Sequence, residues 1–567
     1  MFLLFISLSS LAQQNIFELN QQLGRGVNLG NMMEAPTETE WGNPFKDAYM
    51  KTIADMGFTH IRIPIRWDTP ERTLPTDPYT INPVFLARIK HIVDLAYAQN
   101  LMVIIDMHHH DAIFKNPEKE HAKFIAQWTQ ISDYFKDYDS KLIFEVLNEP
   151  NSALTPEKWN DYFKDALAVI RVKNPSRAVL MGVANWGGLS ALSQLEIPAD
   201  ENLILTIHYY APFTFTHQGA EWVDGSDAWL GTPWLSTSIE RQEIKNDFQY
   251  AIQLAAEKNI PIHIGEFGAY STADNLSRLK WSNFLASWFS EQGFSWTYWE
   301  FSSGFGFYNP NTGEVKTDLL EALLKENIYE EEKLESTLQY ESSFENTDPW
   351  NLYTNGEGKG TLELQNKEAA VNIETSSTES WHIQLVRNNI ALKKGASYVV
   401  SFDAHGSGQT QISHYLGKST EPYTNYSGFK TYDILDKTQS FIYLFEMTEP
   451  TDVASRIVFD LGTSAGTVAI GNVRIEEVKI EEEVVLGEFL QQESVTFPNP
   501  VEDTFMLRIK DGVSGFRLFD TSGKQIRFSD NLKNKEILID MKSLPSGVYM
   551  LQCFGKDASY YQKIVKW

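Results

Sequence analysis

The sequence contains little cysteine and little positive charge. Cys553 is the only cysteine in 567 residues, which excludes an intramolecular disulfide and any metal site built on several thiolates. Lysine and arginine total 48 against 75 aspartate and glutamate residues, so the formal net charge is -27. Because nucleic acids and anionic membranes attract clustered basic groups, we expect neither of them as a partner.

Long apolar runs are missing as well. No run reaches the roughly 20 residues that a membrane-spanning helix requires, so we predict no membrane span. The shorter run MFLLFISLSSLA ends in Ser10-Leu11-Ala12, a pattern typical of a secretory cleavage site. The basic segment that normally precedes such a run is lacking, since the first basic residue is Arg25. We predict a signal peptide at residues 1–12 that is truncated or whose true start lies upstream.

Aromatic residues, by contrast, are abundant. They make up 13% of the chain and include 15 tryptophans. Flat aromatic faces stack on sugar rings, but a large aromatic core would give the same composition. Composition alone therefore leaves both interpretations open.

From Gly24 to about Glu326 the chain alternates short apolar runs with longer amphipathic stretches. Most of the apolar runs lack a period of two, which is typical of strands that are buried on both faces. The amphipathic stretches between them, such as 85–99 and 156–172, predict helices. Eight such repeats predict an α/β fold, the (β/α)8 or TIM barrel, with strands at 24–31, 60–65, 101–107, 142–149, 178–186, 203–210, 261–268 and 295–301.

Beyond the barrel the pattern changes to short alternating runs separated by turn residues. This pattern is typical of a β-sandwich of the jelly-roll type, and a smaller β domain follows it. Two glutamate-rich stretches separate the three domains as linkers. The predicted boundaries are a barrel at 13–328, a linker at 329–337, a β-sandwich at 338–480, a linker at 481–494 and a small C-terminal β-sandwich domain at 495–567.

Polar groups gather at the predicted carboxyl ends of the barrel strands, where barrel enzymes place their catalytic residues. Two of them are glutamates on well-separated strands, namely Glu149 after strand 4 and Glu266 in strand 7. One glutamate there could be an ordinary rim residue, whereas two of them among other polar groups indicate a site. The other rim residues are Asn31, Glu34, Arg62, His108, His109, Asn148, Trp186, His208, Tyr210 and Trp299.

Two carboxyl groups without a phosphate-binding loop indicate glycoside hydrolysis. One carboxylic acid protonates the departing oxygen, and the other attacks the anomeric carbon or activates water. A separation of about 5 to 5.5 Å would favour the covalent, retaining route, but the sequence does not give this distance. A metal at His108, His109 and His110 is disfavoured, because consecutive residues point in different directions and no ligand spacing is completed. We predict no metal and no cofactor.

Two short motifs resemble the catalytic signatures of glycoside hydrolase family 5. They are LNEP at 147–150 and IGEFG at 264–268. The similarity runs through the barrel, from about residue 20 to 326, and includes GRGVNLGNMMEAP, HIRIPIRW, HYYAPFTFTHQGAEW and YWEFSSGFG. These segments resemble the bacterial endoglucanases of subfamily 25, which act on β-glucans and often on mannans.

The resemblance implies a role for each matching residue. Glu149 corresponds to the acid/base and Glu266 to the nucleophile. Arg62 and Tyr210 correspond to groups that hold and ionise the nucleophile, and Asn148 to the donor to the sugar 2-hydroxyl. The other substrate-binding residues that it implies are Asn31, Glu34, His108, His109, Trp186, His208, His217, Trp222 and Trp299.

Elementary electrostatics supports the two catalytic roles. An ionised Glu266 nearby opposes a second negative charge and should raise the pKa of Glu149. Arg62 should do the opposite for Glu266 and keep it a carboxylate nucleophile. Once Glu266 is esterified its charge disappears, so Glu149 becomes a stronger acid and can act as a base towards water.

The two β domains resemble families with other tasks. Residues 338–480 resemble the carbohydrate-binding modules of families 4 and 9, through WHIQLVRNNIALKKGASYVVSFDA and RIVFDLGTSAGTVAIGNVRIEEV. Residues 495–567 resemble the C-terminal sorting domain of the type IX secretion system of Bacteroidota, through FPNP, Asp520-x-x-Gly523-Lys524, LPSGVYML and KIVKW. The resemblances imply a secreted or cell-surface protein that has the type IX secretion machinery as a partner.

The sequence thus predicts a secreted, retaining endo-β-1,4-glucanase (cellulase) that acts as a monomer on a β-linked polysaccharide. The alternative among enzymes is a β-mannanase, a glucomannanase or a mixed-linkage β-glucanase. Glucose and mannose differ at the 2-hydroxyl, so a site that tolerates either orientation of this group would act on both. A further alternative is a non-catalytic glycan-binding surface protein with a decayed barrel, which the intact Glu149 and Glu266 disfavour.

Overall fold

The structure, a computed structural model, describes most of the chain. The described residues are 15–332, 334–345, 347–407, 410–479, 495–497, 501, 503–508, 513–520, 525–529, 536–555 and 559–566. The predicted signal peptide and the predicted linker at 481–494 lie outside them, as do Gly523 and Lys524 of the sorting-domain motif. Within the described residues, no helix has the length and apolar character to span a membrane.

Eight parallel strands close into a barrel, each strand pairing with the next. All of their residues except Arg25 are buried, as expected when helices cover the outside and side chains fill the inside. The barrel prediction is confirmed. The strands are β1 (Arg25–Asn28), β2 (His60–Ile63), β3 (Met102–Asp106), β4 (Leu142–Glu145), β5 (Val179–Met181), β6 (Leu203–His208), β7 (Ile262–Phe267) and β8 (Ser295–Tyr298).

Helices connect the barrel strands, and their first residues follow local capping rules. Asn82 accepts a hydrogen bond at the start of α3 just before Pro83, and Thr237 forms a capping box with Glu240 at the start of α8. The helices are α1 (Ile16–Leu23), α2 (Ala48–Met56), α3 (Pro83–Ala98), α4 (Asp111–Lys115), α5 (Pro117–Tyr134), α6 (Pro156–Lys173), α7 (Phe213–Thr216), α8 (Ser238–Asp247), α9 (Gln249–Lys258), α10 (Asn275–Glu291) and α11 (Thr317–Leu324).

The helix α1 closes the amino-terminal end of the barrel. Leu19 and Leu23 pack with Ile104 and Ile143 in one apolar cluster. The carboxyl ends of the strands, at the opposite end, remain open to carry polar groups. The site described below lies at that open end.

Two antiparallel sheets follow the barrel and form a β-sandwich, as predicted. One sheet has the order β10-β13-β18-β15-β16, and the other has the order β11-β12-β19-β14-β17 with β9 paired to β19. The strands are β9 (Glu335–Glu341), β10 (Trp350–Thr354), β11 (Lys359–Gln365), β12 (Glu368–Thr375), β13 (Ile383–Leu392), β14 (Ser397–Gly406), β15 (Thr410–Gly417), β16 (Lys430–Ile434), β17 (Gln439–Glu446), β18 (Asp452–Asp460) and β19 (Gly466–Lys479).

The sandwich packs against the barrel through one edge. The helix α8 of the barrel lies along β17, the edge strand of its sheet. Lys430 Nζ lies 3.9 Å from Glu243 Oε1 across this boundary. The barrel and the sandwich belong to one compact unit, Met1–Lys479.

The strand β9 begins at Glu335, inside the stretch 329–337 that is predicted as a linker. The exact domain boundaries remain a prediction.

The second compact unit, Ile480–Trp567, is built from two small sheets. One has the order β20-β21-β24 and the other β23-β22-β25-β26. Phe505, Leu518 and Leu551 are buried in their shared core. The strands are β20 (Val495–Phe497), β21 (Thr504–Arg508), β22 (Val513–Asp520), β23 (Gln525–Ser529), β24 (Glu536–Asp540), β25 (Gly547–Gly555) and β26 (Ser559–Lys566).

Candidate active site

The two predicted catalytic glutamates meet at the open end of the barrel. Glu266 belongs to β7, and Glu149 lies in the loop that follows β4. A carboxylate oxygen from each of them and one ring nitrogen of His208 all lie within 4.8 Å of one another. The His208 Nδ1 is 2.9 Å from Glu149 Oε1 and 3.6 Å from Glu266 Oε2. The structure therefore brings the two carboxyl groups close together with a histidine between them.

Arg62 and Tyr210 hold Glu266 from two sides. The Arg62 Nη1 donates a 2.9 Å hydrogen bond to Glu266 Oε1. The Tyr210 hydroxyl donates a 2.8 Å hydrogen bond to Glu266 Oε2. Both bonds favour the ionised carboxylate.

The guanidinium of Arg62 also contacts two carboxylates that sequence reasoning missed. It makes a bidentate pair with Glu145, at 2.6 and 2.9 Å, and its Nη2 lies 2.9 Å from Asp106 Oδ2. The side chains of Arg62, Glu145 and Asp106 are fully buried. Glu145 and Asp106 each end a buried apolar strand, β4 and β3. A charged residue in an otherwise apolar, buried strand is unusual, and this signal in the sequence could have identified both of them as site residues.

Asn148 and Asn28 complete the surroundings of Arg62. Asn148 Oδ1 accepts a 2.6 Å hydrogen bond from Nη2, and Asn28 Oδ1 accepts a 2.9 Å bond from Nη1. Because the carbonyl oxygen of Asn148 is engaged by arginine, its amide group is oriented away from Arg62. This orientation suits a donor to a sugar hydroxyl.

Burial shifts the pKa values of both glutamates upward. It raises the pKa of Glu149 to about 7, and the charge of Glu145 adds to the rise while Arg62 opposes it. Burial also raises the pKa of Glu266, but His208, Arg62 and Tyr210 all act to lower it. Removal from water, and not repulsion by Glu266, is thus the main cause of the high pKa of Glu149. His208, Arg62 and Tyr210 thus oppose the rise at Glu266, whereas Arg62 opposes it at Glu149.

Glycine precedes Glu266 because a larger residue would collide with the site. A Cβ atom at Gly265 would lie 2.9 Å from His208 Nε2 and 2.7 Å from Thr206 Oγ1. A non-bonded contact to a Cβ at either distance would force the strand or the histidine to move. Packing against Thr206 and His208 thus explains why the first glycine of the IGEFG motif is a glycine.

The predicted residues Trp299, His108 and His109 form one wall of the site. The rings of His108 and Trp299 are stacked, with centroids 5.5 Å apart and planes at 5°. His108 Nδ1 is 2.7 Å from Asp106 Oδ2, which fixes its ring. Burial lowers the pKa of His109 to about 3. Burial also holds the pKa of His108 well below its ordinary value. Both histidines are therefore neutral at physiological pH.

Asn31 and Glu34 lie in the turn after β1. Glu34 is only 1% exposed, and its carboxylate accepts backbone hydrogen bonds from Asn31 and Met32. Burial raises the pKa of Glu34 to about 8. The structure thus places Glu34 in the frame of the turn, with its carboxyl group engaged by its own backbone.

The remaining predicted residues, Trp186, His217 and Trp222, line one cavity together with Glu149. The side chains of Trp186 and Trp222 are 58% and 59% exposed, as flat binding surfaces need to be. His217 is buried, with its ring stacked on Phe213 at 4.0 Å and 6.3 Å from the ring of Trp222. This side of the site is therefore aromatic and open, whereas the side of Glu34 is closed.

Comparison with known proteins places the barrel in a family. A family model described as cellulase (glycosyl hydrolase family 5) matches residues 23–304. Endoglucanase A of Clostridium longisporum is 30% identical over 368 residues, which cover 58% of this chain and 69% of that protein. The chain belongs to glycosyl hydrolase family 5. Its C-terminal half extends beyond what the family model covers.

Two similar endoglucanases each match about half of this chain. Endoglucanase Cel5A from the hyperthermophilic Thermotoga maritima is 44% identical, with a TM-score of 0.54, and covers 55% of this chain and 100% of that one. Endoglucanase H of Acetivibrio thermocellus is 34% identical over 319 residues, which are 55% of this chain but 34% of that protein. The chain therefore spans about a third of the length of that relative.

Two further models match the C-terminal half of this family 5 chain. One described as a carbohydrate binding domain matches residues 336–466. One described as a secretion system C-terminal sorting domain matches residues 495–567. The sorting domain identifies the chain as an exported protein, secreted or displayed on the cell surface, of the Bacteroidota type. Both resemblances seen in the sequence are confirmed.

Proposed function

We propose that this family 5 member is an endo-β-1,4-glucanase that hydrolyses internal bonds of a β-linked glucan with retention of configuration. The observation that carries the proposal is the short separation of the two carboxyl groups, with an oxygen of each within 4.8 Å. Retaining glycosidases hold their carboxyl groups about 5 to 5.5 Å apart, and inverting ones about 6.5 to 9.5 Å apart. The names of the matched relatives, which are endoglucanases, support the substrate class.

In the first step, Glu266 attacks the anomeric carbon while Glu149 donates its proton to the departing oxygen. The hydrogen bonds from Arg62 and Tyr210 support an ionised Glu266, and the raised pKa of Glu149 supports a protonated acid. The bond to the leaving sugar breaks as the ester to Glu266 forms. The products are a glycosyl–enzyme ester and a free sugar chain with a neutral hydroxyl end.

In the second step, water hydrolyses the ester between the sugar and Glu266. Glu149, which gave its proton to the leaving group in the first step, now accepts a proton from the attacking water. The amide of Asn148 donates to the 2-hydroxyl of the sugar bound to Glu266. Trp299, supported from behind by His108, provides the flat surface beneath that sugar. No step requires a cofactor.

A second candidate is a β-mannanase or glucomannanase, with a mixed-linkage β-glucanase as a related possibility. One observation favours it: Thermotoga maritima Cel5A, which is 44% identical, is described in complex with mannotriose and also with cellobiose. A site that accepts both orientations of the 2-hydroxyl would act on glucan and mannan alike. We also propose that the chain belongs to subfamily 25, whose members act on β-glucans and often on mannans.

The accessory domains suit an exported enzyme that acts on a glycan. The match to a carbohydrate binding domain supports a glycan-binding sandwich, and Trp381 and Tyr423 are exposed aromatic candidates at 46% and 50%. Trp350 is buried, and its Nε1 donates a 2.8 Å hydrogen bond to Ser342, so it serves the sandwich core. The sorting domain supports the type IX secretion machinery as a partner.

The test uses residues 13–567 with carboxymethylcellulose, glucomannan and galactomannan as substrates. A rapid fall in viscosity on the cellulose derivative, absent in Glu266→Ala, is expected of an endo-glucanase. Proton NMR of the first product from cellohexaose should show the β-anomer before mutarotation. An initial α-anomer would contradict the retaining route, and turnover of galactomannan alone would favour the second candidate.

A further inference from the structure

A large cavity connects the site to the β-sandwich. It has a volume of about 940 Å3 and begins at Glu149 and Trp186. Its opposite wall is made by residues of β16 and β17 in the sandwich, namely Thr431, Tyr432, Asp433, Gln439 and Phe441. The volume is near the upper end of the range of small-molecule sites, about 300 to 1,000 Å3. One domain thus supplies the acid/base, and the other supplies the facing surface.

The sandwich wall is held in place by packing on both sides. The rings of Tyr432 and Phe441 have centroids 4.4 Å apart, and Phe402 packs against both of them. On the barrel side, α8 lies along β17. The two aromatic rings are therefore anchored in the sandwich core while they line the cavity.

A second cavity of about 480 Å3 extends the first one along the same boundary. Both cavities are lined by Tyr250 of the barrel and Asp433 of the sandwich. The second is also lined by Gln253 and Gln411, which come from the barrel and the sandwich respectively. The boundary thus forms an extended cleft with aromatic and polar side chains. Such a mixture suits a sugar chain, whose ring faces are apolar and whose edges carry hydroxyl groups.

The cleft lies on the leaving-group side of the scissile bond. Its lining includes Glu149, which protonates the departing oxygen, and also Trp186 and Trp222. Glu266 itself and Trp299, which the proposed mechanism places beneath the sugar bound to Glu266, are not part of that lining. Sugars in the cleft therefore belong to the reducing-end part of the chain, which leaves first.

We infer that the β-sandwich is part of the substrate cleft, in which Tyr432 and Asp433 bind the leaving-group sugars of a β-glucan chain. This inference rests on the proposed function. The solved Cel5A structure covers 55% of this chain and is itself matched over its full length, so this wall has no counterpart in that enzyme. The sandwich then determines which chain lengths are cleaved efficiently and where.

The experiment compares two substrates in the full chain. Cellohexaose labelled at its reducing end can occupy the cleft, whereas p-nitrophenyl β-cellobioside places only its small aryl group there. Tyr432→Ala and Asp433→Ala remove two contacts of different chemistry. Tyr353→Ala is the matched control, because Tyr353 is 51% exposed on β10, the opposite edge of the same sheet from β16.

Tyr432→Ala should lower kcat/KM on cellohexaose about fivefold through the lost ring contact, with the aryl glycoside unchanged. Asp433→Ala, which leaves the aromatic packing intact, should lower it about threefold. The labelled products should become shorter, because fewer sugars are held on the reducing-end side. Tyr353→Ala should match the wild type on both substrates.

The experiment distinguishes failure of the proposed function from failure of the inference about the sandwich. If the wild type cleaves neither substrate, the proposed function is wrong. If the wild type cleaves both, but Tyr432→Ala and Asp433→Ala keep its cellohexaose rate and its product lengths, the sandwich lies outside the substrate cleft. An equal loss on both substrates would also overturn the inference, since it would indicate damage to the barrel.

Discussion

The guanidinium of Arg62 lies 2.9 Å from the carboxylate of Glu266. The same group pairs with Glu145 and Asp106, so one buried cation faces three buried or nearly buried carboxylates. Charges removed from water are stable only when they are paired. Arg62 therefore holds the floor of the site together as well as the candidate nucleophile.

Replacement of Arg62 by methionine should cost stability as well as activity. Arg62→Met leaves Glu145 and Asp106 buried without their cation, so the free energy of unfolding should fall by about 3–5 kcal/mol. Urea denaturation followed by tryptophan fluorescence measures this change. Arg88→Met is the control, because the Arg88–Glu38 pair is partly exposed and should cost at most about 1 kcal/mol. Equal losses for the two variants would contradict the role given to Arg62.

Removal of the candidate nucleophile should abolish turnover and permit chemical rescue. Glu266→Ala should lose at least about 10⁴-fold in kcat, because no ester can form. Sodium azide should restore part of the rate on an aryl cellobioside and give a glycosyl azide of inverted, α configuration, which NMR identifies. The exposed Glu201→Ala serves as control. A β-configured azide would place the nucleophile elsewhere.

The alkaline limb of the pH profile should report Glu149. Its carboxyl must be protonated to act as acid, and burial raises its pKa to about 7. On the alkaline side, activity on cellohexaose should thus fall as the pH rises through about 7. Glu149→Gln should remove this limb for activated aryl glycosides, whose leaving groups need no proton. An unchanged limb in Glu149→Gln would assign the titration to another group.

The acid limb should report Glu266, and Tyr210 should control its position. The Tyr210 hydroxyl bonds to the ionised form of Glu266, so its loss in Tyr210→Phe raises the pKa of Glu266. The acid limb of kcat/KM should then move to higher pH by about one unit. Tyr209→Phe is the matched control, since the Tyr209 hydroxyl bonds to Asp247 instead and should leave the limb in place. A shift in both variants would point to a general structural effect.

Much of the fold could be predicted because its signals are local. Strands buried on both faces have continuous apolar runs, such as LMVIIDM around β3. Two carboxylates of the site escaped prediction because their partner is not local. Asp106 and Glu145 lie inside such runs, where neighbouring residues give no hint that Arg62 will be their partner. Their pairing depends on strands that are distant in the sequence and adjacent in the barrel.

The sequence by itself determined the strand–helix alternation and the chemistry that is available at the rim, with Glu149, Glu266, Arg62 and Tyr210 at strand ends. Only the tertiary structure decided the separation of the two carboxyl groups, the dominance of burial in the pKa of Glu149, and the position of Tyr432 in the same cavity as Glu149. The physical reason is that local patterns encode periodicity and burial. Distances between residues far apart in the chain follow from closure of the barrel and from packing of the sandwich against α8.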